Sequence, residues 1–322
     1  MRVVWQILAV VAISAIGGRS VQAVQDKPWL SLVLGALTTV LAVLVYRWVV
    51  ARTEHRPVTE LDPKGAVPAL GRGTLIGVVM FGMVVTNLAT SGEYEVHGLG
   101  SPTGAVGLLG FMAAAAVTEE LLFRGVLFRL VEEYLGTWIA LALTALLFGA
   151  AHLPNPDATV WGAFAIAVEA GGMLAAAYVA TRNLWVPIGV HFGWNFAAGG
   201  IFSTVVSGND TQQGLLDSTT SGNEWLTGGD FGPEGSVYSV LFGVLLTLAF
   251  LWLAHRRGNL VPRRRRSGTP ATLPRCSVPT GSGNCGAGWT CPSGTCRSGC
   301  SCCRCRCRRP SRITERLSAV SP

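Results

Sequence analysis

Between residues 3 and 254 the chain is divided into apolar stretches of bilayer-crossing length, separated by short polar connections. A helix crosses the hydrocarbon core with about 20 mostly apolar residues, and it satisfies its own backbone polar groups on the way. The candidate spans are 3–18, 29–46 and 74–90, then a fourth from 103 through 117 that continues to about 134, followed by 138–152, 160–181, 184–206 and 236–254. Gly136 supplies the stop after the fourth, and Pro154 and Pro156 stop the fifth. Half of the residues are hydrophobic and 13% are charged, against about 25% charged in a soluble domain. The fold class is therefore all-α, a polytopic transmembrane helix bundle of about eight spans. The 3–18 stretch is short and follows Arg2, as a signal peptide would, but no small-x-small cleavage site precedes Asp26, which favours a retained helix.

The basic residues give the expected topology. They are 23 Arg and 2 Lys, a bias that, with the Ala, Gly and Val content, suggests a GC-rich bacterial genome. Eight spans place both termini on one side, with the 47–72 loop, the 124–133 helix end, Arg182 and the 256–266 cluster. The other side receives 91–101, 154–159 and 209–235, the last with five acids and no Lys or Arg. Loops rich in Lys and Arg stay in the cytoplasm. The expectation is a multi-pass protein of the cell membrane with both termini cytoplasmic, Arg19 and Lys27 being the exceptions. The net charge of +7 is concentrated at the C-terminus. It signals topology and contact with the lipid bilayer, not nucleic acid.

All nine cysteines lie at or after Cys276, in spacings that match no zinc pattern. The expected organisation is 1–102, N-terminal helices and a cytoplasmic loop; 103–206, a core; 207–258, an extracytoplasmic loop and the last helix; and 259–322, a disordered, basic, Cys-rich tail.

The core carries polar residues that its surroundings penalise. Glu119-Glu120-Leu-Leu-Phe-Arg124 follows a run without charge, and a charge at mid-helix costs roughly 2.5–3.5 kcal/mol on insertion scales. Glu120 and Arg124 stand four apart and share a helix face, whereas Glu119 is rotated about 100° away. One carboxylate is tied and the other is available. Phe148-x-x-x-His152 and His191-x-x-x-Asn195 repeat the i,i+4 spacing. Glu119 lies 17 residues before Gly136 and His152 lies 16 after it, so the two stand at similar height on antiparallel neighbours. Depth counted from Leu184 brings His191 to a common site in the cytoplasmic half. Glu169 is also intramembrane, with no role beyond pairing or lining a cavity, and Gly171-Gly172 reads as a helix-packing site. His55, His97 and His255 lie at membrane edges or in loops.

Together these motifs resemble those of the CAAX protease and bacteriocin-processing (Abi) family of intramembrane endopeptidases: Glu-Glu-x-x-x-Arg at 119–124, Phe-x-x-x-His at 148–152 and His-x-x-x-Asn at 191–195. The resemblance covers 107–201. It implies that Glu119 activates a water with help from His152, that His191 and Asn195 bind the developing oxyanion, and that Glu120, Arg124 and Phe148 support them. The implied substrate is a membrane-associated protein or peptide. No cofactor is favoured; the alternative is zinc on His152, His191 and Glu119, which would leave one open coordination position. Two other classes compete. A proton- or ion-coupled transporter would use the same charges as a relay, and a non-catalytic scaffold or immunity partner would keep only the fold.

Overall fold

A computed structural model of the chain describes residues 2–209 and 214–263. Six helices among them are long and apolar enough to cross a membrane: α1 Arg2–Gln22, α2 Pro28–Glu54, α3 Ala66–Thr90, α4 Pro102–Leu135, α6 Val160–Thr181 and α8 Val237–Arg256. Two shorter rods complete the set, α5 Thr137–Ala150 and α7, which spans 185–201. The all-α bundle is thus observed, with the eight apolar rods in their expected order. Large apolar side chains such as Trp5, Leu44, Trp48, Leu75, Leu245 and Trp252 point outward. In water that surface would be a liability; in hydrocarbon it is the solvated face. Helix α6 is the central, mostly buried rod, and α1 is peripheral.

Glycine sets two of the helix contacts. Gly73 and Gly77 of α3 face Gly189 and Gly193 of α7, both pairs at i,i+4 spacing. A Cβ at Gly77 would collide with the Val190 carbonyl, and one at Gly193 with that of Thr74. Backbone approach of this kind is how small residues hold helices together where no hydrophobic drive exists between them. Gly35 of α2 and Gly110 of α4 form a second seam, beside which Ser31 Oγ donates to the Gly107 carbonyl at 3.2 Å.

Three departures from the sequence expectation have local causes. Helix α3 begins at Ala66, eight residues before the expected 74, because Pro68 falls in its first turn, where a missing N–H costs nothing. The two loops read as unstructured, 91–101 and 209–235, pair through β1 Tyr94–Leu99 and β2 Leu216–Thr220, an antiparallel ribbon with an irregularity between Val96 and Gly98. The tail expected from residue 259 has its first residues bound to the bundle. Asn259 Nδ2 donates to the Val179 and Ala180 carbonyls, and Thr137 N donates to Val261 O at 2.9 Å. The Cys-rich segment lies outside the described residues.

The end of the bundle that carries the described termini is tied by ion pairs. Arg129 grips Glu54 through two nitrogens at 2.6 and 2.8 Å, and Arg56 bonds both Glu54 and Glu60. Burial would raise the Glu60 carboxyl, but hydrogen bonds from Arg56 outweigh it and hold the group below the usual carboxylate range. Arg182 pairs with the buried Glu132, whose Oε1 also accepts from Thr137 Oγ1.

Candidate active site

Glu119 and Glu120 are the last residues of the regular α-helical part of α4, and the helix then widens to π geometry over Leu121–Phe128. The same widening occurs at Ala167–Gly172 around Glu169 and at Phe196–Ile201 immediately after Asn195. Such π segments are rare and concentrate at functional sites, where they re-aim side chains without ending the helix.

The two carboxylates diverge as their helical rotation requires. Glu120 is fully buried; its Oε1 accepts from Arg124 Nη1 at 2.8 Å and lies 2.9 Å from His191 Nδ1. Arg124 spends its other terminal nitrogen on the carbonyls of Ala170 and Gly171, and its guanidinium lies 4.5 Å from the centre of the Phe148 ring. Phe148 therefore has a definite place, as the aromatic wall between Arg124, His152 and His191. The expected Glu120–Arg124 pair is present, and it is a three-residue unit that also orients His191.

Glu119 is held by no hydrogen bond within the described residues. Its side chain is 32% exposed, and Oε2 lies 3.9 Å from His191 Nε2. It faces a cleft of about 230 Å³ shared with His152, Asn155, Asn195, Ser207 and Asn209. His152 Nδ1 lies 2.8 Å from the Phe148 carbonyl. A carbonyl only accepts, so Nδ1 carries the proton and Nε2 keeps a lone pair. Of the four sequence candidates, Glu119, His152 and Asn195 line this cleft, whereas His191 does not line it and approaches Glu119 at 3.9 Å.

Glu119 stands 17 residues from Pro102 and 16 from Leu135, at mid-length of α4. The cleft runs from it past Ala115 and Met112 to loops at the end opposite the described termini.

Two further carboxylates sit beside the centre. Glu234, which the sequence places in a polar connection, is 2% exposed. It accepts from Trp194 Nε1 at 2.7 Å and from the Ser207 hydroxyl at 2.7 Å, which fastens the loop to the residue before Asn195. No spacing in the sequence announces this bond. Glu169 is fully buried with neither oxygen partnered among the described residues. Both face a chamber of about 10 Å³ that also touches His152, His191 and Asn195, about the space of one water. An unpaired buried charge is costly, and a neutral amide of the same shape costs less. Glu169→Gln should therefore unfold thermally in detergent at or above the wild-type temperature; a clear drop would mean that the carboxylate itself is used.

Ligation by zinc has a poor fit here. Among the described residues no three His, Cys, Asp or Glu side chains come together as a metal set.

A carboxylate without a hydrogen bond among the described residues, an imidazole and an amide are thus gathered on one cleft inside a helix bundle of membrane-crossing length. Residues 101–197, the segment that carries all of them, match the model of the Rce1-like family, type II CAAX prenyl endopeptidases. This is the CAAX protease family that the three motifs resemble, and the match supports a CAAX-type intramembrane protease. No curated protein and no solved structure matches the chain.

Proposed function

We propose that the chain is a glutamate-type intramembrane endopeptidase acting on a membrane-associated protein or peptide. The observation that carries this reading is the division between the two adjacent acids: Glu120 is locked by Arg124 and His191, while Glu119 is unbonded and faces the cleft. A carboxylate in that position can take a proton from a water held with His152 Nε2, and that water attacks the scissile carbonyl. Asn195 and His191 then serve as donors to the oxygen that becomes negative. His191 directs Nδ1 at Glu120, and its Nε2, 3.9 Å from Glu119, is the donor to the oxyanion when the ring carries both protons. Phe148 and Arg124 keep these groups in place.

The metal-free mechanism is supported by Asn195 on the cleft, since a neutral amide is a poor zinc ligand and a good oxyanion donor. Purified protein assayed for cleavage of a membrane-anchored reporter should keep its activity after prolonged exposure to a strong chelator. Loss of activity together with stoichiometric metal, reversed by added zinc, would overturn the metal-free mechanism. The protease reading itself is tested by the same reporter with Glu119→Gln.

A further inference from the structure

We infer that the peptide to be cleaved enters from the arginine-poor end of the bundle, which makes the substrate a segment presented on the non-cytoplasmic side of the membrane. The inference rests on the protease reading and adds to it the side from which the cleft is reached.

The two ends differ sharply in charge. Of the 14 Lys and Arg among the described residues, 11 lie at the end that carries the described termini: Arg2, Arg47, Arg52, Arg56, Lys64, Arg72, Arg129, Arg182, Arg256, Arg257 and Arg263. Arg124 is central, and only Arg19 and Lys27 lie at the other end. Retention of Lys and Arg in the cytoplasm sets membrane orientation, so the arginine-rich end faces the cytoplasm.

The cleft belongs to the opposite end. On α4 its wall runs from Phe123, one turn beyond Glu119, through Glu119, Ala115 and Met112 to Phe111, toward the start of the helix. Its rim is Asn155, Ser207 and Asn209, from the loops after α5 and α7, joined by a bond from Asn155 Nδ2 to the Ser207 carbonyl. Toward the cytoplasmic end the centre is closed in depth. Arg124 is buried against α6, Phe128 packs edge-on against Tyr178 at 5.8 Å, and the Tyr46 hydroxyl lies 2.8 Å from Glu60 and 2.9 Å from the Gly125 carbonyl. Each of these side chains is almost fully buried. A peptide arriving from the cytoplasm would have to cross that layer; one arriving from the other side meets Glu119 directly.

The test is chemical sidedness in the full chain with its nine tail cysteines changed to serine. Single cysteines are introduced as Ala115→Cys in the cleft, Ser221→Cys on the exposed ribbon end and Arg52→Cys at the arginine-rich end. Intact spheroplasts are treated with a membrane-impermeant maleimide. Ala115→Cys should label together with Ser221→Cys at the same rate before and after lysis, and Arg52→Cys only after lysis. Labelling of Ala115→Cys only after lysis, alongside Arg52→Cys, overturns the inference. Asn155→Cys, on the rim, replaces Ala115→Cys if that variant fails to fold. The reagent reads exposure and not turnover, so an inactive enzyme would leave the labelling pattern intact, and a reversed pattern would leave the protease reading intact.

Discussion

Glu119→Gln should abolish hydrolysis while leaving the protein folded. The amide keeps the shape of the side chain and removes only the ability to accept a proton, and positioned general bases contribute about 10²–10⁴-fold to rate. Glu119 makes no hydrogen bond within the described residues and is one-third exposed, so its loss should leave the detergent melting temperature unchanged. Cleavage of a membrane-anchored reporter, measured beside that melting curve, reads both effects. A stable variant that still cleaves would remove Glu119 from the role of base. An unstable one would make it a structural residue.

Arg124→Ala should act in the opposite way, through the fold. Its guanidinium is the partner of the fully buried Glu120 and also bonds the Ala170 and Gly171 carbonyls of α6. Removing one member of a buried pair costs roughly 3–5 kcal/mol because the other charge is left in low dielectric. Recovery of folded protein from membranes should fall steeply, and the Glu120→Ala, Arg124→Ala double variant should recover part of it. Glu120→Gln separates the two functions of this carboxylate, since the amide oxygen can still accept from His191. Selective loss of catalysis with full stability in Glu120→Ala would instead make Glu120 the reacting acid.

The helices and the four candidate side chains were legible in the sequence because hydropathy and i,i+4 spacing are local properties. The split between Glu119 and Glu120 follows from helix rotation alone, and their bonding bears it out. What could not be read depends on residues far apart in the chain. The bond from His191 to Glu120 crosses 71 positions. Glu234 reaches Trp194 from a loop whose composition suggests only solvent exposure. The first residues of the tail are held by main-chain and amide hydrogen bonds to residues far back in the chain, with Leu260 packed against the core.

The glycine seam between α3 and α7 has a mechanical consequence for catalysis. Because main chain rests on main chain at Gly77 and Gly193, the interface has no side-chain tips that could rotate to absorb a displacement. Any shift of α3 is passed on as a rigid translation to the turn of α7 that carries His191 and Asn195. Misplacement of a catalytic group by about 1 Å can cost about a hundredfold in rate. The outer surface of α3 is thus a lever on the site, and bilayer thickness or lateral pressure acting there would reach His191 and Asn195 without touching the substrate.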